Sequence, residues 1–304
     1  MLVVEGADGV EGLVAAGGAH AVLMMTQVAN RLTGSCDVGT IWPVVMADYA
    51  SERERLLASL TQLLRADDRV VGAWLRGSLS GGEADDVSDI DLQVAVDDRA
   101  CPAIPADVES FLARAGELLL VQTVFSAPDG GLTRCVLYEG AHGPQQVDWM
   151  IWPRSVAVLH PPARILFVRA PIHAVATERY ETLVDQPAGT AGPGHDQATC
   201  WLFVFIAARY LVRGWDSAVI AMLRGCAQVA ARMGVAAALP AIPKEVEAGA
   251  AAGGLLRAFA VGLQRVVPGS RLEGDFASPE AVSAIVRFVK IISSTGGNGD
   301  QDGR

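Results

Sequence analysis

Asp89 and Asp91 put two carboxylates into a segment that otherwise reads as a β-strand, Ile90-Asp91-Leu92-Gln93-Val94. Asp is depleted in strands. Side chains alternate faces along a strand, so Asp89, Asp91 and Gln93 share one face and Ile90, Leu92 and Val94 the other. Like charges about 7 Å apart, at about 3.3 Å rise per residue, repel unless something positive lies near both. A hard divalent cation such as Mg²⁺ takes oxygen ligands of this kind. Before this strand lies the apolar run Val70 to Leu75, which ends at Arg76-Gly77-Ser78. A loop rich in Gly and acidic residues joins the two strands.

Gly77-Ser78, followed at this spacing by Ser88-Asp89-Ile90-Asp91-Leu92, resembles the signature of the polymerase-β-like nucleotidyltransferase superfamily. Within it the chain is most similar to the small bacterial members, the antibiotic (aminoglycoside-type) and minimal nucleotidyltransferases. The motif itself covers about a twentieth of the chain, and the βαβ-like order around it extends the likeness to residues 46–152. The resemblance implies a third carboxylate on a later strand. Asp148, alone in the apolar segment Val147-Asp148-Trp149-Met150, supplies it. By alternation Asp148 shares a face with Gln146 and Met150. Taken without the earlier motif, Asp148 reads as a single Asp at a strand end near solvent.

The resemblance further implies an α+β fold, with a mixed sheet flanked by helices and followed by a helical bundle. Asp89, Asp91 and Asp148 would be the catalytic and metal-holding carboxylates. Two Mg²⁺ ions, in the arrangement that spaces metals about 4 Å apart, would serve ATP or another nucleoside triphosphate. Gly77 would let the backbone approach the phosphates without a Cβ clash. Ser78, Arg76 and Ser88 would complete the nucleotide contacts. Arg76 is equally well explained as an exposed strand-end Arg. The acceptor would be a small hydroxylated molecule, with aminoglycosides as one class. The competing reading is an antitoxin-like or protein-modifying module that acts on a protein partner. A degenerate, non-catalytic module would be expected to have lost at least one carboxylate, and all three candidates are present.

Charge bounds the partners. The net charge of −10 argues against a general nucleic-acid binder, which would carry a basic face. It suits a cationic acceptor. Glu83, Asp85 and Asp86 could attract one, although a solvated loop is their simpler reading. Hydrophobic residues make up 51% of the 304, ample for a core. The five cysteines, Cys36, Cys101, Cys135, Cys200 and Cys226, are scattered, without the spacing of a zinc site. They read as free thiols in a reducing, cytoplasmic setting. His160, His173 and His195 stand isolated and read as structural. No Walker, HExxH or GxSxG motif is present.

Periodicity orders the rest. Ser51-Glu52-Arg53-Glu54 fits a capping box, opening a helix over 51–66 with Leu56, Leu57, Leu60, Leu63 and Leu64 as its stripe. Strands are expected at 70–76, 89–96, 118–126 and 132–139 and around Asp148. A helix opens at Ile104-Pro105, Pro128-Asp129-Gly130-Gly131 marks a turn, and 165–168 is a short apolar segment. Residues 186–194 read as a linker. Helices follow around 201–211, 216–233 and 254–267. The last opens at Ser278-Pro279, an N-cap with Pro at N1. Arg209 interrupts an otherwise apolar helix, which argues against a membrane span.

The expected domains are a catalytic one over 46–185 and a helical one over 195–293, with a disordered tail over 294–304. Residues 1–45 lack the positive start of a secretory signal. They read as a disordered extension or a misassigned start, with Met46 as the true first residue. That reading predicts that mass spectrometry of the native protein finds no peptide from residues 2–30.

Overall fold

The structure is a computed structural model and describes residues 42–101, 107–123, 131–175, 193–243, 250–271 and 274–295. It forms two compact units, Met46–Gly189 and a second that contains Thr190–Arg304. The fold is mixed α+β, as the sequence leads one to expect. Residues 1–41, the Ile104-Pro105 start, the 128–130 turn, residues 186–192 of the linker and residues 296–304 of the tail lie outside the described residues.

In the first unit, helix α1 (Trp42–Ala66) leads into β1 (Val70–Leu75), the one-turn helix α2 (Gly77–Gly81) and β2 (Ile90–Val96). Helix α3 (Val108–Ala113) precedes β3 (Leu118–Gln122), β4 (Leu132–Tyr138) and β5 (Gln145–Pro153). Strand β7 (Arg164–Val168) returns to the sheet, while β6 (Val158–Leu159) and β8 (His173–Ala174) form a separate two-stranded pair. Within the unit the sheet strands run in the order β7-β1-β2-β5-β4-β3. All neighbours are antiparallel except β2 and β5, which are parallel. A parallel pair needs a crossover, and here α3, β3 and β4 supply it.

Two sequence expectations are corrected. The 51–54 capping box does not start a helix, because α1 begins nine residues earlier, at Trp42. Ser51 lies mid-helix, where its hydroxyl donates to the Ala47 carbonyl at 2.8 Å. A hydroxyl that bonds back by one turn satisfies itself without ending the helix. Glu52 instead accepts from the Ala141 and His142 backbone N–H groups, at 2.8 and 3.1 Å. The segment after β1, expected as loop throughout, winds into α2 over its first five residues.

Met46, Tyr49, Leu57, Leu60 and Leu64 form the buried stripe of α1. Each fully buried side chain of this size contributes roughly 1.5–3 kcal/mol. Helices α1 and α3 cover the sheet face opposite Asp91. Gln145 Nε2 donates to the Tyr49 carbonyl at 3.2 Å, and the Tyr49 hydroxyl donates to the Pro144 carbonyl at 2.5 Å. Phe111 of α3 meets Trp149 edge to face, with ring centroids 5.9 Å apart. Trp149 is therefore part of the core. At the outer edge of β7, Ile165 and Val168 are exposed.

The second unit is helical: α4 (Pro193–Val212), α5 (Asp216–Arg232), a 3₁₀ turn (Ala236–Ala238), α6 (Ala250–Val266) and α7 (Pro279–Thr295), with the short strand β9 (Phe276–Ala277) before α7. Ser278 caps α7 as expected, accepting the Ala281 N–H at 3.0 Å. Arg209 is buried in α4, its guanidinium 5.9 Å from the Phe205 ring centre. His195, which reads as isolated in the sequence, pairs with Asp275 at 2.6 Å. Cys200 and Cys226 exchange thiol-to-carbonyl contacts between α4 and α5, at 3.8 and 3.4 Å. Burial pushes the Cys226 thiol well above its ordinary pKa. Among the described residues no helix is long and apolar enough to cross a membrane.

Asp67, just past the end of α1, ties this helix to α3. Its carboxylate accepts from Arg69 Nε and Nη2 at 2.9 and 2.7 Å and from Arg114 Nη1 at 2.7 Å. The Arg69 hydrogen bonds are the largest influence, burial opposes them, and Arg114 adds to them, so Asp67 is held well below the usual carboxylate range. A carboxylate with a depressed folded-state pKa stabilises the fold above its unfolded value and loses that contribution as pH falls through the folded one. Asp67→Asn should cost about 2 kcal/mol at neutral pH, the size of hydrogen bonds to a charged group. In urea titrations the gap to the wild type should narrow as pH drops below about 4, where unfolded Asp begins to protonate.

Candidate active site

The site begins with strand register. Parallel pairing of β2 and β5 sets Asp91 directly beside Asp148 and Gln93 beside Met150. Adjacent strands lie about 4.8 Å apart, so the Asp91 and Asp148 side chains leave the same sheet face as immediate neighbours. The ladder starts at Ile90 and Val147. Asp89 and Gln146 each come one residue before this first rung. Asp89, the expected first residue of the strand, lies just outside it, because β2 begins at Ile90. Asp89 and Asp148 are buried, at 7% and 8% exposure, and Asp91 is half-buried. The third carboxylate, inferred from sequence on a strand of its own, thus comes beside the Asp-x-Asp pair.

Gly77 packs against the Asp91 side chain. Its φ is +57°, in the left-handed region where glycine carries no steric penalty. A Cβ on Gly77 would overlap Oδ2 of Asp91 and stand 2.9 Å from its Cγ. The Arg76 N–H donates to the Asp91 carbonyl at 2.9 Å, fixing the loop entrance to β2. A side chain there would adopt a strained φ and push the Asp91 carboxylate aside. Ser78 is half-buried in the first turn of α2 and Gly77 is exposed, so this backbone corner faces solvent above the carboxylates. Arg76, also half-buried, is the residue immediately before it.

Ser88 has a different task from the one its motif position suggests. Its hydroxyl donates to Asp85 Oδ1 at 2.8 Å and accepts the Asp85 N–H at 3.0 Å. Asp85 Oδ1 also accepts the Val87 N–H at 3.2 Å. Ser88 therefore closes the turn that delivers Asp89, with its oxygen spent on that turn.

Arg53 is the residue that sequence reasoning missed. It is 6% exposed, and its Nη1 donates to the Asp85 carbonyl at 2.7 Å and the Ser88 carbonyl at 3.3 Å. Glu54 takes Nε and Nη2 at 3.3 and 3.2 Å. One guanidinium thus holds the last turn before Asp89 against α1, using the fork geometry that Arg alone provides. The signal was present: Arg53 precedes Leu57, Leu60 and Leu64 at helical spacing and so belongs to the buried stripe. Gln146 is the other supporting residue, and its Nε2 donates to Asp148 Oδ1 at 2.9 Å.

Among the described residues no group of three His, Cys, Asp or Glu side chains is already gathered as a metal cage. The donor set on this face is nonetheless all oxygen, as a hard cation requires. No protein-family model matches this chain, and no curated protein shows significant similarity to it.

Arg53→Met keeps the length of the side chain and removes its donors, leaving the Ser88 carbonyl buried without this partner. We expect a loss of about 2 kcal/mol in chemical denaturation, the cost of an unsatisfied buried polar group. Backbone hydrogen exchange over 85–90 should accelerate while exchange in β4 stays unchanged.

Proposed function

We propose that this chain is a metal-dependent nucleotidyltransferase that moves a nucleoside monophosphate, AMP from ATP, to the hydroxyl of a small acceptor. The observation that carries the reading is the cross-strand pair of Asp91 and Asp148, with Gly77 packed at positive φ against the Asp91 carboxylate. Two neighbouring carboxylates, one buried and one half-buried, repel each other, and a cation shared between them would relieve that repulsion. Asp89, Asp91 and Asp148 would hold Mg²⁺. When bound, that ion would neutralise the triphosphate and polarise the phosphorus under attack.

The chain's own groups have separable tasks. The Gly77 corner admits a phosphate close to the backbone, since no Cβ stands in the way. Ser78 offers a hydroxyl there, and Arg76 brings positive charge next to it. Ser88 and Arg53 keep Asp89 in place rather than touching nucleotide. In the transfer, the acceptor oxygen bonds to the α-phosphorus, the bond to the β-phosphate oxygen breaks, and pyrophosphate leaves. The acceptor hydroxyl is a weak nucleophile and must give up its proton. Asp148 is the carboxylate to take it, or else a further metal ligand.

The test is pyrophosphate release by the purified full chain with ATP and Mg²⁺, against aminoglycosides, lincosamides and small polyols. Release should depend on one acceptor class, and Asp89→Asn and Asp91→Asn should each lower it by at least about a hundredfold, roughly 3 kcal/mol of barrier. Gly77→Ala should weaken ATP binding through its clash with Asp91. Mg²⁺-dependent ATP binding without release would shift the acceptor to a protein partner. No ATP binding would refute the nucleotidyltransferase reading.

A further inference from the structure

The start of β5 carries two glutamines with opposite assignments. Gln145 points to the helix-covered face and bonds the Tyr49 carbonyl of α1. Gln146 points to the carboxylate face. It is 5% exposed and two residues from Asp148 on its own strand. Asp91 and Asp148 sit side by side across the strand gap, and Asp89 and Gln146 each come two residues before them in the chain. Three carry negative charge when ionised. The fourth is the same size as a glutamate but neutral, and it brings N–H donors.

We infer that Gln146 is a positioning residue for Asp148: its amide holds one carboxylate oxygen, so that Asp148 presents a fixed geometry to a divalent cation shared with Asp91. This rests on the reading of Asp148 as a metal-side carboxylate given above. The contact has the length of a good N–H···O bond to a charged acceptor, 2.9 Å from Nε2 to Oδ1. The backbone under both residues is rigid, because β5 is an inner strand with β2 on one side and β4 on the other. A short Asp side chain can still rotate about its χ angles, and the glutamine removes that freedom before any cation arrives. Partners that orient ligands in this way typically alter metal affinity ten- to a hundredfold when mutated. Neutrality matters equally. A glutamate here would add a fourth charge to a buried cluster, whereas the amide partly offsets the charge already present.

The test measures Mn²⁺ binding to the full chain without nucleotide, by electron paramagnetic resonance of free against bound ion. Gln146→Met is nearly isosteric and has no donor. It should weaken Mn²⁺ binding about tenfold or more, while the melting temperature of the metal-free protein stays near that of the wild type. In an Asp148→Asn background the same change should have no further effect, because the amide acts through the carboxylate. Gln146→Asn, which keeps an amide one methylene too short to reach, should weaken binding in the same way and serves if the Met variant does not fold. Wild-type affinity in both Gln146 variants would overturn this inference and leave the proposed function standing. An equal loss in the Asp148→Asn background would also overturn it, as a general packing effect. A wild-type chain that binds no Mn²⁺ at millimolar concentration would sink the metal-site reading and this inference together.

Discussion

The pairing of β2 with β5 is the contact on which the site depends. Among the described strands of the large sheet in the first unit it is the parallel pairing, and it brings together residues 57 positions apart in the chain, Asp91 and Asp148. A slip of one residue would send either Asp to the opposite face. The register is defended from the helix-covered face. Ile90, Leu92 and Val94 on β2 and Val147, Trp149 and Ile151 on β5 are all buried there, so a slip of either strand would press its carboxylates and glutamines into the apolar layer under the helices. The carboxylates are thus placed by hydrophobic side chains that never touch a substrate.

Around that pairing, three supports act at different points. Gly77 closes over Asp91 because it lacks a side chain. Arg53 reaches from α1 to two carbonyls of the approaching loop, and the Asp85–Ser88 turn completes the delivery of Asp89. Each support lies on a different element, and each uses a chemistry the others cannot replace: no Cβ, a planar fork of donors, and a short hydroxyl–carboxylate loop. Gly77 recurs in the functional reading as a phosphate approach. The same absence of a side chain serves the packing against Asp91 and the opening toward solvent.

Much of this could be read from the sequence. The alternation put Asp89 and Asp91 on one face, whereas Asp148 joined them only through the resemblance of the Gly77–Leu92 motif to a known signature. The Ser278-Pro279 start of α7 followed from capping chemistry alone. Other features were not legible, for identifiable reasons. A capping box is a four-residue pattern, and Ser51 to Glu54 match it inside a helix whose earlier turns carry no comparable mark. The role of Ser88 depended on which of its neighbours came within reach, and that is set by the fold of a loop with little periodicity. Arg53 was hidden by its charge. Helical spacing put it in the buried stripe, but an Arg in such a stripe is ordinarily discounted unless a partner is known, and its partners are backbone carbonyls more than thirty residues away. The pairing of His195 with Asp275 spans 80 residues and left no local trace.

The buried thiols give the molecule an internal gauge of its own opening. Cys101 and Cys135 lie in the sheet unit, and Cys200 and Cys226 in the helical one. A buried thiol reacts only when its surroundings open, and only as thiolate. The burial that lifts the Cys226 pKa suppresses the reactive form while the helices stay closed. Alkylation followed cysteine by cysteine therefore times the opening of each unit separately in one unmodified chain. Two rates that coincide would describe a single cooperative body, and two that diverge would describe a sheet and a helical bundle that come apart on their own schedules.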